Sequence, residues 1–170
     1  MKTLMYLFVM ALIVLVGCAK DDTMFEIRDN LELKKAKVPI PFKADCQAVY
    51  HLDIPGRLML SGNATHAGKI NDKESYYQVI SMVPKEMDGQ LYMRLEGFGK
   101  IVGANGHGME FTFWSYQTLD YSSFQGQVLI TPGTGTGQFK DCKGTLESSG
   151  GYDVAGDFAF MAITGSLVYE

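Results

Sequence analysis

From Phe42 to the C-terminus, apolar side chains recur at every second position, and Gly, Asn, Asp or Pro interrupts the run every ten to fifteen residues. A period of two gives strands with two unlike faces, whereas an amphipathic helix would need a period of 3.6. The pattern predicts eight strands, over residues 43–53, 56–66, 75–84, 90–102, 108–118, 122–131, 136–147 and 156–168. Connections are short and helix-starting signals scarce, so consecutive strands are expected to pair antiparallel. Closing eight such strands on themselves removes the exposed edges of an open sheet, and the fold class expected is all-β, an eight-stranded antiparallel up-and-down barrel. Composition supports the same reading, with 19 Gly, nine Tyr and ten Phe against only five Pro in 170 residues. Hydrophobic residues at 46% and charged residues at 20% exclude a disordered chain or a coiled coil. A net charge of −4 with no basic stripe argues against a nucleic-acid partner.

The N-terminus carries a different signal. Lys2 is followed by an uncharged apolar run, Leu4 to Val16, that fits a signal segment and is shorter than the roughly 20 residues of a membrane span. The run ends in Leu15-Val16-Gly17-Cys18, which resembles the bacterial lipobox, in which the Cys thiol receives a diacylglycerol before cleavage makes that Cys the first residue. The resemblance implies a signal peptide over 1–17, a lipidated Cys18 opening a tether over 18–41, and a β-domain over 42–170. Multiple acyl chains on one Cys would hold the protein on a membrane durably. Ala19 stands where an Asp would signal inner-membrane retention, so the outer membrane is expected; Lys20-Asp21-Asp22 resembles the export tag of surface lipoproteins in some Gram-negative anaerobes. A solvated, charged linker is the bland alternative for those three residues.

In the second half, Val128-Leu-Ile-Thr-Pro-Gly-Thr-Gly-Thr-Gly-Gln-Phe139, Gly144 and the closing Ile163-Thr-Gly-Ser-Leu-Val-Tyr169 resemble the late hairpin of the allene oxide cyclase and dirigent barrel superfamily. The segments Asn63 to Lys69 and Gly103 to Gly108 are similar to parts of bacterial secreted proteins of that group. The resemblance implies an eight-stranded barrel with an internal cavity, lipocalin-like in general shape. It carries over no activity and no catalytic residue.

Two columns of side chains offer a binding site. Leu91, Met93, Leu95, Phe111 and Phe113 alternate with Tyr92, Arg94, Glu96, Glu110, Trp114 and Tyr116. If the mixed column faces inward, those six residues line a ligand pocket able to stack a ring and hold polar groups; if outward, they form a solvated wall around a greasy core. Cys46 and Cys142 either bridge the first and seventh predicted strands or stay as two buried thiols. Gly133-Thr-Gly-Thr-Gly137 lacks the following helix and the Gly-Lys-Ser/Thr of a phosphate loop and reads as a turn. His51, His66 and His107 form no His-x-His pattern and no Cys-x-x-Cys occurs, so neither metal nor cofactor is expected.

These readings converge on a non-catalytic, lipid-anchored barrel facing the cell exterior. Its expected partners are the membrane, through the lipid, and a small apolar or aromatic ligand or a protein, a second copy of the chain included. One rival is an isomerase or cyclase using Glu96 or Glu110 with a tyrosine; another is a filled barrel that serves only as an interaction module.

Overall fold

The computed structural model describes residues 38–155 and 157–169. The expected signal segment, Cys18 and the tether as far as residue 37 lie outside the described residues. Ten strands follow in chain order: β1 (Ile40–Tyr50), β2 (Arg57–Ala64), β3 (Gly68–Lys69), β4 (Tyr76–Met87), β5 (Gln90–Val102), β6 (Gly108–Thr118), β7 (Phe124–Ile130), β8 (Cys142–Lys143), β9 (Thr145–Asp153) and β10 (Phe158–Tyr169). There is no α-helix among the described residues, only a 3₁₀ turn at Gly137–Phe139.

Every pairing is antiparallel. From β1 the sheet runs through β10, β9, β7, β6, β5, β4 and β2, and β2 pairs back onto β1, so the sheet closes into a ring. The two-residue strands β3 and β8 are appended to β2 and β10. β1 begins two residues before the expected domain start because Ile40 already pairs with Leu167, and Phe42 is part of the core.

One strand is misplaced by the sequence reading. The strand expected over 136–147 is instead the 3₁₀ turn, β8 and the first residues of β9, which continues through Ser148-Ser149-Gly150-Gly151. Those four residues look like a turn. Here the glycines mark close approach of neighbouring backbone: a Cβ on Gly150 would stand 2.0 Å from the Phe160 carbonyl oxygen, and one on Gly151 2.1 Å from that of Ser122.

Inside the ring, the inward column of each strand meets that of its neighbours. Phe42, Ala44, Cys46 and Ala48 of β1, Leu58 and Leu60 of β2, Leu95 and Ile101 of β5, and Met109, Phe111 and Phe113 of β6 are all buried. β5 presents Gly97 and Gly99 opposite Phe113 and Phe111, and the rings lie over the missing side chains: a Cβ at either glycine would meet a ring carbon at 2.5 or 2.4 Å. One end of the ring is plugged. Phe139 is fully buried there, edge-on to Phe42 at 6.1 Å and to His66 at 6.5 Å. The Gly-Thr-Gly strap that delivers it is held by its hydroxyls, with Thr136 Oγ1 accepting from the Gly108 amide at 3.0 Å and Thr134 Oγ1 from the Glu110 amide at 3.1 Å. The residues read as a plain turn are thus a clasp.

Candidate functional site: an apolar cavity at one end of the ring

Between Val79 and Ser81 the pairing of β4 with β5 slips by one residue, leaving Ile80 without a partner on β5. A bulge of this kind bends a strand and re-aims its side chains. Beyond it β4 has left β2 and pairs with β5 alone, while β5 stays paired to β6 as far as Tyr92, and Met82, Val83 and Leu91 are exposed. At this end no side chain equivalent to Phe139 fills the centre, and a cavity of about 600 Å³ opens.

The cavity is lined by residues of eight strands and three loops. Leu58, Tyr77, Leu95 and Ser115 lie deepest, all buried. Gln117, Phe124 and Ala159 are half-buried along its sides, and Tyr50, Ile80, Met82, Tyr121 and Val154 form an exposed rim. Rim exposure is high, 68% at Ile80 and 77% at Val154, and Leu52 in the adjoining loop is 97% exposed. Apolar side chains rarely gather in the open around a pocket without a partner for them. None of the lining residues is Asp, Glu, Lys, Arg or His.

Two of its polar groups, Tyr77 and Ser115, lie deep. Tyr77 stacks on Phe113 with ring centres 3.6 Å apart and planes 20° off parallel. Burial pushes its hydroxyl well above the ordinary phenol range, the neighbouring Ser115 pulling weakly the other way. Tyr77 therefore stays protonated and offers a neutral donor. Ser115 is fully buried beside the Tyr77 hydroxyl, and its Oγ has no partner in good hydrogen-bond geometry. Ser148 Oγ is buried and unpaired too, and both serines lie opposite Gly126 of β7, one on each side. A Cβ on Gly126 would stand 2.6 Å from Ser115 Cβ, so the serine packs directly against the glycine backbone. At the rim, the Tyr152 hydroxyl donates to the Asp157 carboxylate, and that bond with the nearby negative charge pushes the phenol up to about 12.

The pocket read from the mixed column is corrected by the ring. Tyr92, Arg94, Glu96, Glu110, Trp114 and Tyr116 all face outward, and none lines the cavity, because Leu95, Phe111 and Phe113 of the opposite parity take the core. On that outer wall Arg94 Nη2 meets Glu96 Oε1 at 2.7 Å, and the guanidinium lies 5.8 Å from the Trp114 ring and 5.9 Å from the Tyr116 ring. An exposed pair of this kind contributes on the order of 0–1 kcal/mol. The carboxylates of Glu96 and Glu110 cannot act inside the ring.

Cys46 and Cys142 are both buried free thiols. A bridge between them is excluded by register: Cys46 pairs with Met161 and Cys142 with Tyr169, eight residues apart along β10. At about 3.3 Å per residue, that is on the order of 25 Å, far beyond the roughly 7 Å limit between Cα atoms. Burial pushes the Cys46 thiol up to about 12, with Asp45 adding to the shift, and raises Cys142 as well, so neither is an activated nucleophile. His66 edges onto Phe139 and the His107 ring occupies the space above Gly137, both at the plugged end. Among the described residues, no group of three or more His, Cys, Asp or Glu side chains is placed to hold a metal ion.

Tyr77, Ile80, Ser115 and Gln117 were missed by the sequence reading. Ser115 and Gln117 did leave a signal, as the polar residues that continue the inward column of Met109, Phe111 and Phe113. No protein-family model, curated protein or solved structure matches the chain.

Proposed function

We propose that this protein is a non-catalytic carrier or sensor of a small, largely apolar molecule, held on the outer face of a bacterial outer membrane by lipid on Cys18. In this reading the ring is an eight-stranded up-and-down barrel of the allene oxide cyclase and dirigent type, with β3 and β8 as accessory pairings. The observation that carries the binding function is the cavity of about 600 Å³, apolar at its rim and lined by no charged side chain. That volume lies within the range of roughly 300–1,000 Å³ typical of ligand pockets. The absence of a carboxylate or imidazole among the lining residues favours binding over acid–base catalysis.

The lipid anchor rests on the sequence alone, on Leu15 to Cys18 following the apolar run. Two measurements test the reading. The full chain titrated with N-phenyl-1-naphthylamine, a neutral apolar fluorophore, is expected to show saturable enhancement at one molecule per chain; a linear, non-saturating response overturns the binding function. Growth of a Gram-negative host with labelled palmitate is expected to tag the wild-type protein and not Cys18→Ala, and equal labelling of both would remove the anchor.

A further inference from the structure

We infer that the cavity selects an uncharged, largely apolar molecule that enters with one hydrogen-bonding group leading and seats that group against Ser115. The inference rests on the cavity being a ligand site and adds which chemical class it takes and in which direction. The first observation is the fully buried Ser115 Oγ in the lining, which has only the Tyr77 hydroxyl beside it and no partner in good hydrogen-bond geometry. A buried hydroxyl left unpaired is costly, and a hydroxyl, carbonyl or amide arriving from the cavity relieves that cost.

Direction follows from the order of the lining. Tyr77 and Ser115 are buried at the floor, while Ile80, Met82 and Val154 are exposed at the rim. A molecule seated polar end inward gives the buried serine a partner and covers the exposed apolar side chains of the rim; the reverse orientation would leave an apolar end against the serine.

Charge excludes the anionic members of the class. The lining holds no cation to pair with a buried carboxylate or phosphate. The two arginines adjacent in sequence to lining residues are engaged elsewhere: Arg57 Nε donates to Gln78 Oε1 at 3.0 Å with its guanidinium 4.3 Å from the Tyr76 ring, and Arg94 pairs with Glu96 on the outer wall at 2.7 Å. Asp53, Asp120 and Asp157 stand in the same three loops that supply Pro55, Tyr121 and Val154, so an anion would approach against like charge.

The test is displacement of N-phenyl-1-naphthylamine from the full chain by 1-decanol and by decanoate at pH 8, two probes of equal chain length that differ at one end. 1-Decanol is expected to displace the fluorophore at a concentration at least tenfold below that of decanoate. Ser115→Ala, with fluorophore affinity measured afresh in the variant, is expected to weaken 1-decanol three- to tenfold. Decanoate binding as tightly as 1-decanol overturns the selection for an uncharged ligand, and an unchanged 1-decanol affinity in Ser115→Ala overturns the seating at Ser115. Either result leaves the cavity as a ligand site, whereas absence of saturable fluorophore binding in the wild type removes that reading itself.

Discussion

At the scale of single residues, burial decides which groups retain chemistry. Cys46 sits on the inward column of β1, and the low-dielectric surroundings hold its thiol neutral, pushed up to about 12. In the unfolded chain the same thiol ionises near its ordinary value of 9.0. Between those values the folded state binds the extra proton, so stability is fully present below about pH 9 and is lost as pH rises toward 12, by up to about 1.4 kcal/mol per pH unit. Urea unfolding at pH 8 and pH 10.5 is expected to show this loss, and Cys46→Ala to lack this part of it; an identical pH slope in the two proteins would place the titration elsewhere. Trp114 makes the opposite case. It is half-buried on the outer wall beside Arg94, so iodide is expected to quench it readily in the native protein, at a rate close to that of a partly exposed indole. A Trp114 protected from iodide would mean that a second molecule covers this wall.

Among the strands, what was legible in the sequence depended on whether the side chains or their absence carried the information. β5 and β6 were read to the residue, at 90–102 and 108–118, because large apolar side chains alternate along both. The parity of that alternation was also legible, yet which parity faced inward was not: Trp114, Tyr116 and Tyr92 are as large as Phe111 and Phe113, and only ring closure with Leu95, Val128 and Leu146 fixes the inner side. β9 was lost because Ser148, Ser149, Gly150 and Gly151 carry turn chemistry locally while the sheet uses them for close packing. The cavity was illegible for a related reason, since it arises where Ile80 slips out of register, and a one-residue slip leaves no compositional mark. The same distinction predicts how glycines respond to substitution. A Cβ at Gly97 would stand 1.9 Å from the Gln78 carbonyl oxygen and 2.5 Å from the Phe113 ring, whereas one at Gly89, in the hairpin turn with φ of +76°, meets nothing. Gly97→Ala is expected to lose about 3 kcal/mol by overpacking, and Gly89→Ala about 1 kcal/mol by backbone strain alone. Denaturant midpoints of equal size for the two variants would contradict the close packing of Phe113 over β5.

Across the whole molecule, the two ends of the ring have opposite packing and are expected to respond oppositely to a change of side-chain volume. At the plugged end Phe139 is fully enclosed by Phe42, His66 and the threonine clasp, so Phe139→Ala leaves a void that a closed ring cannot collapse into, at an expected loss of about 3–5 kcal/mol. At the open end Ala159 is half-buried and borders the cavity, where added methylene groups meet open space and the apolar faces of the lining. Ala159→Leu is therefore expected to keep or raise the melting temperature, since it covers apolar surface without displacing a packed neighbour. Its effect on binding runs the other way, because it fills part of the space the ligand needs, and N-phenyl-1-naphthylamine affinity is expected to fall at least fivefold. Phe139→Ala, at the far end, is expected to leave that affinity unchanged in the fraction that stays folded. Measuring melting temperature and fluorophore affinity in both variants separates stability from binding in one experiment. A loss of stability in Ala159→Leu comparable to that in Phe139→Ala would mean that the open end is packed as tightly as the closed one, and the cavity would then have no role in the native protein.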